Sequence, residues 1–326
     1  MKVTVLGAGA WGTALALVLH RSRHPVVLWG HDTGHLEEMR RVGRNERYLP
    51  GIDLPKEWHF EPDISRASQG SDCVIVAVPS RAMRAATKAL ADYDRILVSV
   101  TKGIEHDTGL TMCGVLRANA PRAKVGALSG PSLAAEVARG IPTAIVAASD
   151  DLATARRIQQ LFHTVRFRVY TSNDLAGVEM GGALKNVVAI AAGVGDGLGF
   201  GDNSKAALLT RGIAEIRRLG IACGAQGETF SGLSGLGDLT VTCFSKLSRN
   251  RGLGERMGRG EKLEAILAGA VTVAEGYPTA QAAFQLARKL AISTPIIDEV
   301  YAILYEGKDV AKALEDLIGR ESKAED

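Results

Sequence analysis

The sequence predicts an α/β protein, with a doubly wound, mostly parallel sheet over residues 1–176 and an all-α region over residues 177–326. Three observations predict it. Short apolar runs alternate with helical patterns through the first half. A glycine-rich turn joins the first run to an apolar helix. From Gly177 onward the β-type runs give way to helical periodicity. At 326 residues the chain also exceeds the size at which one hydrophobic core usually stops growing, which favours two domains.

The first element is the stretch VTVLGAGAWGTALALVL. Residues 3–6 read as a buried strand, 7–12 as the turn and 13–19 as a helix. Gly7 permits the tight turn, Gly9 removes the side chain that would block a pyrophosphate, and Gly12 lets the helix lie close to the strand. The helix N-terminus adds free N–H groups and a positive dipole end. A lone G-x-G-x-x-G is weak; here it follows a strand and opens a helix, so the region reads as a Rossmann-type dinucleotide site.

Further strands are expected at residues 26–29, 74–78, 96–100, 124–128, 144–148 and 165–170. Ligands on such sheets bind beyond the carboxyl ends of the strands, so the residues that follow each run matter most. After the second strand come Gly30, His31 and Asp32. With no acid directly at the strand end to repel a 2′-phosphate, the cofactor is expected to be NADP(H) or NAD(H), the balance leaning to NADPH. Lys102 follows the run 96–100, as either a ligand of the crevice or a surface lysine. Gly130, Pro131 and Ser132 follow the next run, with Ser132 expected to cap a helix whose N–H groups face the same crevice.

The helical half is expected to open with one long helix over residues 177–198. Lys185 and Asn186 lie there among valines, alanines and leucines. Such a pair is costly to bury unless it is paired or used, the alternative being that Lys185 snorkels to solvent. A buried lysine beside another cation has a lowered pKa and can exchange a proton near neutrality, as carbonyl reduction requires. The loop 230–239 is glycine-dense and carries Asp238, suited to a substrate hydroxyl or to orienting a lysine. Ser248, Arg249 and Asn250 suit a small phosphate, where a solvated basic turn is the ordinary alternative. Spacing gives Glu275 no role.

Hydrophobic residues at 46% and charged residues at 23% are those of a globular protein, with disorder expected only at residues 321–326. A net charge of +3 gives no argument for nucleic acid, and the basic run 40–47 is broken by Glu46. Cys73, Cys113, Cys223 and Cys243 show neither paired nor metal-ligand spacing, so reduced thiols and no metal are expected. The strand at residue 3 leaves no room for a signal peptide, and no apolar run is expected to reach the length of a membrane span. A cytoplasmic protein follows.

Taken together, GAGAWGTALA, SVTKGIE, LSGPSLAAEV, GALKNVVAIAAG, GLSGLGDLTVTC, SRNR and VAEGYPTA resemble the bacterial-type NAD(P)-dependent glycerol-3-phosphate dehydrogenases over nearly the whole length. The resemblance implies reduction of dihydroxyacetone phosphate to sn-glycerol 3-phosphate, which supplies the phospholipid backbone, by a homodimer. It implies Lys185 as proton donor and acceptor, and a substrate site of Lys102, Gly130, Ser132, Lys185, Asp238, Ser248, Arg249 and Asn250. Gly7, Gly9 and Gly12 of the turn are joined, on the same resemblance, by cofactor contacts at Trp11, His31, Lys102, Ala134, Arg249, Val273 and Glu275. Ala10 departs from the family, in which many members carry serine or another polar residue there. Two other readings stay open: a different two-domain hydroxyacid dehydrogenase, against which SRNR and GLGDL argue, and a dinucleotide sensor without turnover, which leaves Lys185 and Asn186 unexplained.

Overall fold

The computed structural model describes residues 1–269 and 273–319. Residues 271 and 272 of the stretch around Glu275, and the tail 321–326, lie outside the described residues. The strands are β1 (Val3–Leu6), β2 (Val26–Trp29), β3 (Arg44–Asn45), β4 (Leu49–Asp53), β5 (His59–Glu61), β6 (Cys73–Val76), β7 (Ile96–Ser99), β8 (Lys124–Ser129), β9 (Thr143–Ala148) and β10 (Phe167–Ser172). Helices α1 (Ala10–Arg21), α2 (Thr33–Val42), α3 (Ile64–Ser68), α4 (Met83–Thr87), α5 (Met112–Asn119), α6 (Ala134–Ala138) and α7 (Leu152–Phe162) accompany them.

Eight strands form one sheet in the order β10-β9-β8-β7-β6-β1-β2-β5. All neighbours are parallel except β8 and β9, so β9 and β10 run against the rest. Side chains alternate between faces with the period of a strand. Val3, Val5, Leu28 and Ile75 enter the core on one face, while Leu6, Trp29, Val74 and Val76 enter the core on the other. Both faces are therefore covered, which is why these runs read as continuously apolar. From β1 the chain moves outward to β2 and β5, then returns to β6 on the opposite side of β1. The crevice lies at that reversal, beyond the carboxyl ends of β1 and β6.

Two features had no signal in the periodicity. The edge strand β5 is three residues long, and the antiparallel pair β3 and β4 is built from arginine, asparagine, proline and glycine. Neither offers an alternating pattern.

Beyond β10 come α8 (Leu175–Gly197), α9 (Asp202–Ala222), α10 (Asp238–Phe244), α11 (Arg249–Gly258), α12 (Leu263–Ala268), α13 (Gly276–Lys289), α14 (Pro295–Tyr305) and α15 (Val310–Ile318). Helix α8 begins two residues before the expected start, where Asp174 caps it by accepting from Gly177 N at 2.9 Å. The expectation that no apolar segment reaches spanning length is corrected here: α8 is long and apolar enough by length and composition. Its most apolar window is 89% buried inside the protein, because α9, α10, α11 and α13 pack around it. Where α8 crosses α11 the backbones nearly touch. A Cβ on Gly193 would lie 1.9 Å from Arg251 O, and one on Gly254 would lie 2.0 Å from Ile190 O.

Candidate active site

The glycine turn sits at the reversal between β1 and β6. Gly7 donates to Trp29 O at 2.9 Å and has φ +128°, and a Cβ there would meet Ala77 O at 2.6 Å. On Gly12 a Cβ would meet Gly7 O at 1.9 Å, so α1 could not start where it does with any other residue. Around Gly9 the space is open, with nothing within 4 Å of a Cβ placed there. No side chain caps α1 at its N-terminus, which leaves N–H groups facing that space. These residues fit a dinucleotide pyrophosphate. Trp11 is half-buried in the first turn, and Ala134, also half-buried, opens α6. His31 is exposed beyond β2. Asp32 is already engaged: it caps α2 by accepting from His35 N at 3.0 Å and pairs with Arg47 at 3.1 Å.

Across the crevice Asp238 joins two amines. Its Oδ1 accepts from Lys185 Nζ at 2.6 Å and its Oδ2 from Lys102 Nζ at 2.7 Å. Lys102 reaches down from the end of β7 and also donates to Gly130 O at 2.9 Å, with Ser132 Oγ at 3.4 Å. Lys185 projects from the middle of α8 and donates in addition to Thr242 Oγ1 at 2.6 Å. Asp238 is 1% exposed and Lys185 5% exposed, so this lysine does not snorkel to solvent. Burial dominates and pulls the Lys185 amine down to about 8; the Asp238 carboxylate opposes the fall and the Lys102 charge adds to it. Two cations on one anion leave the cluster with one net positive charge.

Ser132 does not cap α6. Leu133 occupies that position, and Ser132 Oγ instead donates to Gly130 O at 2.8 Å, because the chain is still extended there. The SRNR residues divide. Ser248 caps α11, accepting from Arg251 N at 3.2 Å, and Asn250 donates to Asn186 Oδ1 at 2.8 Å while accepting from Gly276 N at 2.8 Å. Arg251 is buried on Asp196. Arg249 is an exposed residue whose guanidinium is crowded enough that burial lowers its pKa, while the nearby Glu275 charge opposes the fall. Glu275 spans the crevice, accepting from Ser80 N at 3.1 Å and from Ser80 Oγ at 2.5 Å, while its burial raises its pKa. Val273, two residues before it, is half-buried. Glu179 lies elsewhere, accepting from Cys113 N at the start of α5.

The sequence model of the NAD-dependent glycerol-3-phosphate dehydrogenase N-terminus matches residues 2–155, and that of the corresponding C-terminus matches residues 174–315. The chain belongs to this dehydrogenase family. A glycerol-3-phosphate dehydrogenase [NAD(P)+] of Syntrophotalea carbinolica is 47% identical over 331 residues, covering 100% of this chain and 99% of that one. One of Geobacter sulfurreducens is 47% identical over 330 residues, covering 99% and 98%. The crystal structure of glycerol-3-phosphate dehydrogenase from Coxiella burnetii superposes with a TM-score of 0.94 at 37% identity, over 98% of this chain and 99% of that one. A ketopantoate reductase of Ralstonia eutropha shares the fold, with a TM-score of 0.64 at 18% identity.

Three polar residues that support the crevice walls were not singled out by sequence reasoning: two lie at the crevice and the third is buried behind it. Thr242 follows Asp238 by one helical turn, a spacing that signals a shared face once α10 is recognised. Ser80 follows the expected strand 74–78 by two residues, and nothing in its spacing marks it. Asn45, in the unpredicted hairpin, carried no signal at all.

Proposed function

We propose that the chain reduces dihydroxyacetone phosphate to sn-glycerol 3-phosphate, with residues 1–176 as the dinucleotide-binding unit and 177–326 as the substrate unit. The observation that carries this reading is the shared carboxylate of Asp238, which holds one buried and one half-buried amine at the mouth of a dinucleotide turn. When bound, the reduced nicotinamide dinucleotide supplies the hydride that reduces C2 of the ketone. Lys185 gives its ammonium proton to the ketone oxygen, which becomes the secondary hydroxyl, and is left as a neutral amine. Asp238 and Thr242 hold Nζ of Lys185 in place during this transfer. Lys102 turns its positive charge toward the oxygen as negative charge develops there. Gly130 and Ser132 fix Lys102 in that position. Arg249, which makes no ion pair among the described residues, binds the phosphate, while Ser248 and Asn250 set the start of α11 from which it projects.

The cofactor is a nicotinamide dinucleotide, NADP(H) or NAD(H). The proposal leans to NADPH, since Asp32 is committed to its helix cap and to Arg47. The product serves glycerophospholipid synthesis. Family resemblance further supports a cytoplasmic homodimer, without nucleic-acid or membrane partners, and gel filtration tests the assembly. The reaction is tested by absorbance at the nicotinamide band. Adding dihydroxyacetone phosphate to protein with NADPH or NADH should bleach the band, with higher kcat/KM for NADPH. A band that persists with both cofactors refutes the reading.

A further inference from the structure

Asn45 lies beneath the glycine turn, brought there by the β3–β4 pair. Its side chain is fully buried: Nδ2 donates to Ala8 O at 3.0 Å and to Thr13 Oγ1 at 2.8 Å, and Oδ1 accepts from Tyr48 N at 3.3 Å. Ala8 O belongs to the same peptide unit as the Gly9 N–H. In a trans peptide the carbonyl and the N–H point in opposite directions. Fastening the Ala8 carbonyl to Asn45 therefore aims the Gly9 N–H away from the hairpin, and that N–H meets no acceptor among the described residues. The second bond, to Thr13, ties the same amide to the first turn of α1, so hairpin, turn and helix hold one another.

We propose that Asn45 is a positioning residue for the dinucleotide, selecting the orientation of the Ala8–Gly9 peptide that presents the Gly9 N–H to the pyrophosphate. The inference rests on the dinucleotide occupying the glycine turn, and it is read by binding rather than by turnover. Two results are expected for Asn45→Ala. The Kd for NADPH, measured by energy transfer from tryptophan to the reduced nicotinamide, rises about tenfold, the worth of one hydrogen bond to a charged group. At saturating NADPH, kcat and the KM for dihydroxyacetone phosphate stay within twofold. A purely structural Asn45 gives the opposite split, a lower melting temperature with Kd within twofold of the parent, and that result overturns the proposal. If the parent chain binds NADPH but turns nothing over, the proposed reaction fails while the Kd comparison still decides the role of Asn45. Thr13→Val removes only the second anchor and carries the test if Asn45→Ala does not fold. Its Kd should rise about threefold, and an unchanged Kd overturns the proposal.

Discussion

Lys102 and Lys185 are held by the two oxygens of a single carboxylate, Lys102 at 2.7 Å and Lys185 at 2.6 Å from Asp238. One lysine comes from a strand end of the sheet and the other from the central helix of the bundle, so this ion cluster ties the two halves of the chain together at the crevice.

Lys185→Ala should abolish reduction of dihydroxyacetone phosphate while the Kd for NADPH stays within about twofold. The amine sits on Asp238 and Thr242, away from the open space at Gly9. Stopped-flow absorbance with fluorescence titration checks both halves; normal turnover removes Lys185 from its role.

The rate should depend on pH in opposite senses for the two directions. Burial brings the Lys185 amine to about 8. Reduction needs the ammonium form, so its kcat should fall as pH rises through about 8. Oxidation of sn-glycerol 3-phosphate needs the neutral amine, so its kcat should fall as pH drops through the same value. Initial rates from pH 6 to 10 in both directions would show the crossing limbs, and limbs of the same sense would contradict the assignment.

Asp238→Asn leaves two ammonium groups facing each other without their shared anion. Breaking a buried pair in this way costs about 3–5 kcal/mol. The melting temperature should fall, and kcat/KM should drop at least about a hundredfold. Asp238 also holds the Lys185 amine up against burial, so any residual reduction should lose its rate at lower pH than the parent does.

Stability should carry a separate pH signature from Glu215, which is 2% exposed on α9 and accepts from Ile296 N at 2.9 Å at the start of α14. Burial, opposed by these N–H bonds, raises its pKa from 4.5 to about 7. The folded chain then binds more protons than the unfolded chain between those values. The stabilisation, about 3 kcal/mol at full protonation, is present below pH 4.5 and is lost as pH rises through 7. Glu215→Gln should flatten this slope in chemical denaturation at pH 5 and pH 7.5; an unchanged slope assigns it to another group.

Local chemistry made much of the architecture legible. The glycine turn, six of the seven main-sheet strands after the first and the long helix around Lys185 all follow from period, apolar runs and glycine placement, apart from boundary shifts of one to three residues. Only β5 of that sheet escaped. Partnerships across the fold did not follow. Ser132 has the sequence position of a cap, yet its hydroxyl serves Gly130. Asn250 looks like a phosphate ligand, yet both ends of its amide are committed to Asn186 and Gly276. The two Asn250 bonds join residues tens of positions apart and the Ser132 bond answers to the local backbone path, and no periodicity encodes either.

The contact of α8 with α11 has a mechanical consequence. Lys185 rides on one helix and Arg249 on the other, and main chain rests on main chain at Gly193 and Gly254. At these two points no side chain separates the helices, so no rotamer change can open them there. The stretches of main chain that carry the amine and the guanidinium are thus seated on each other directly, so a shift of α11 has to carry α8 with it.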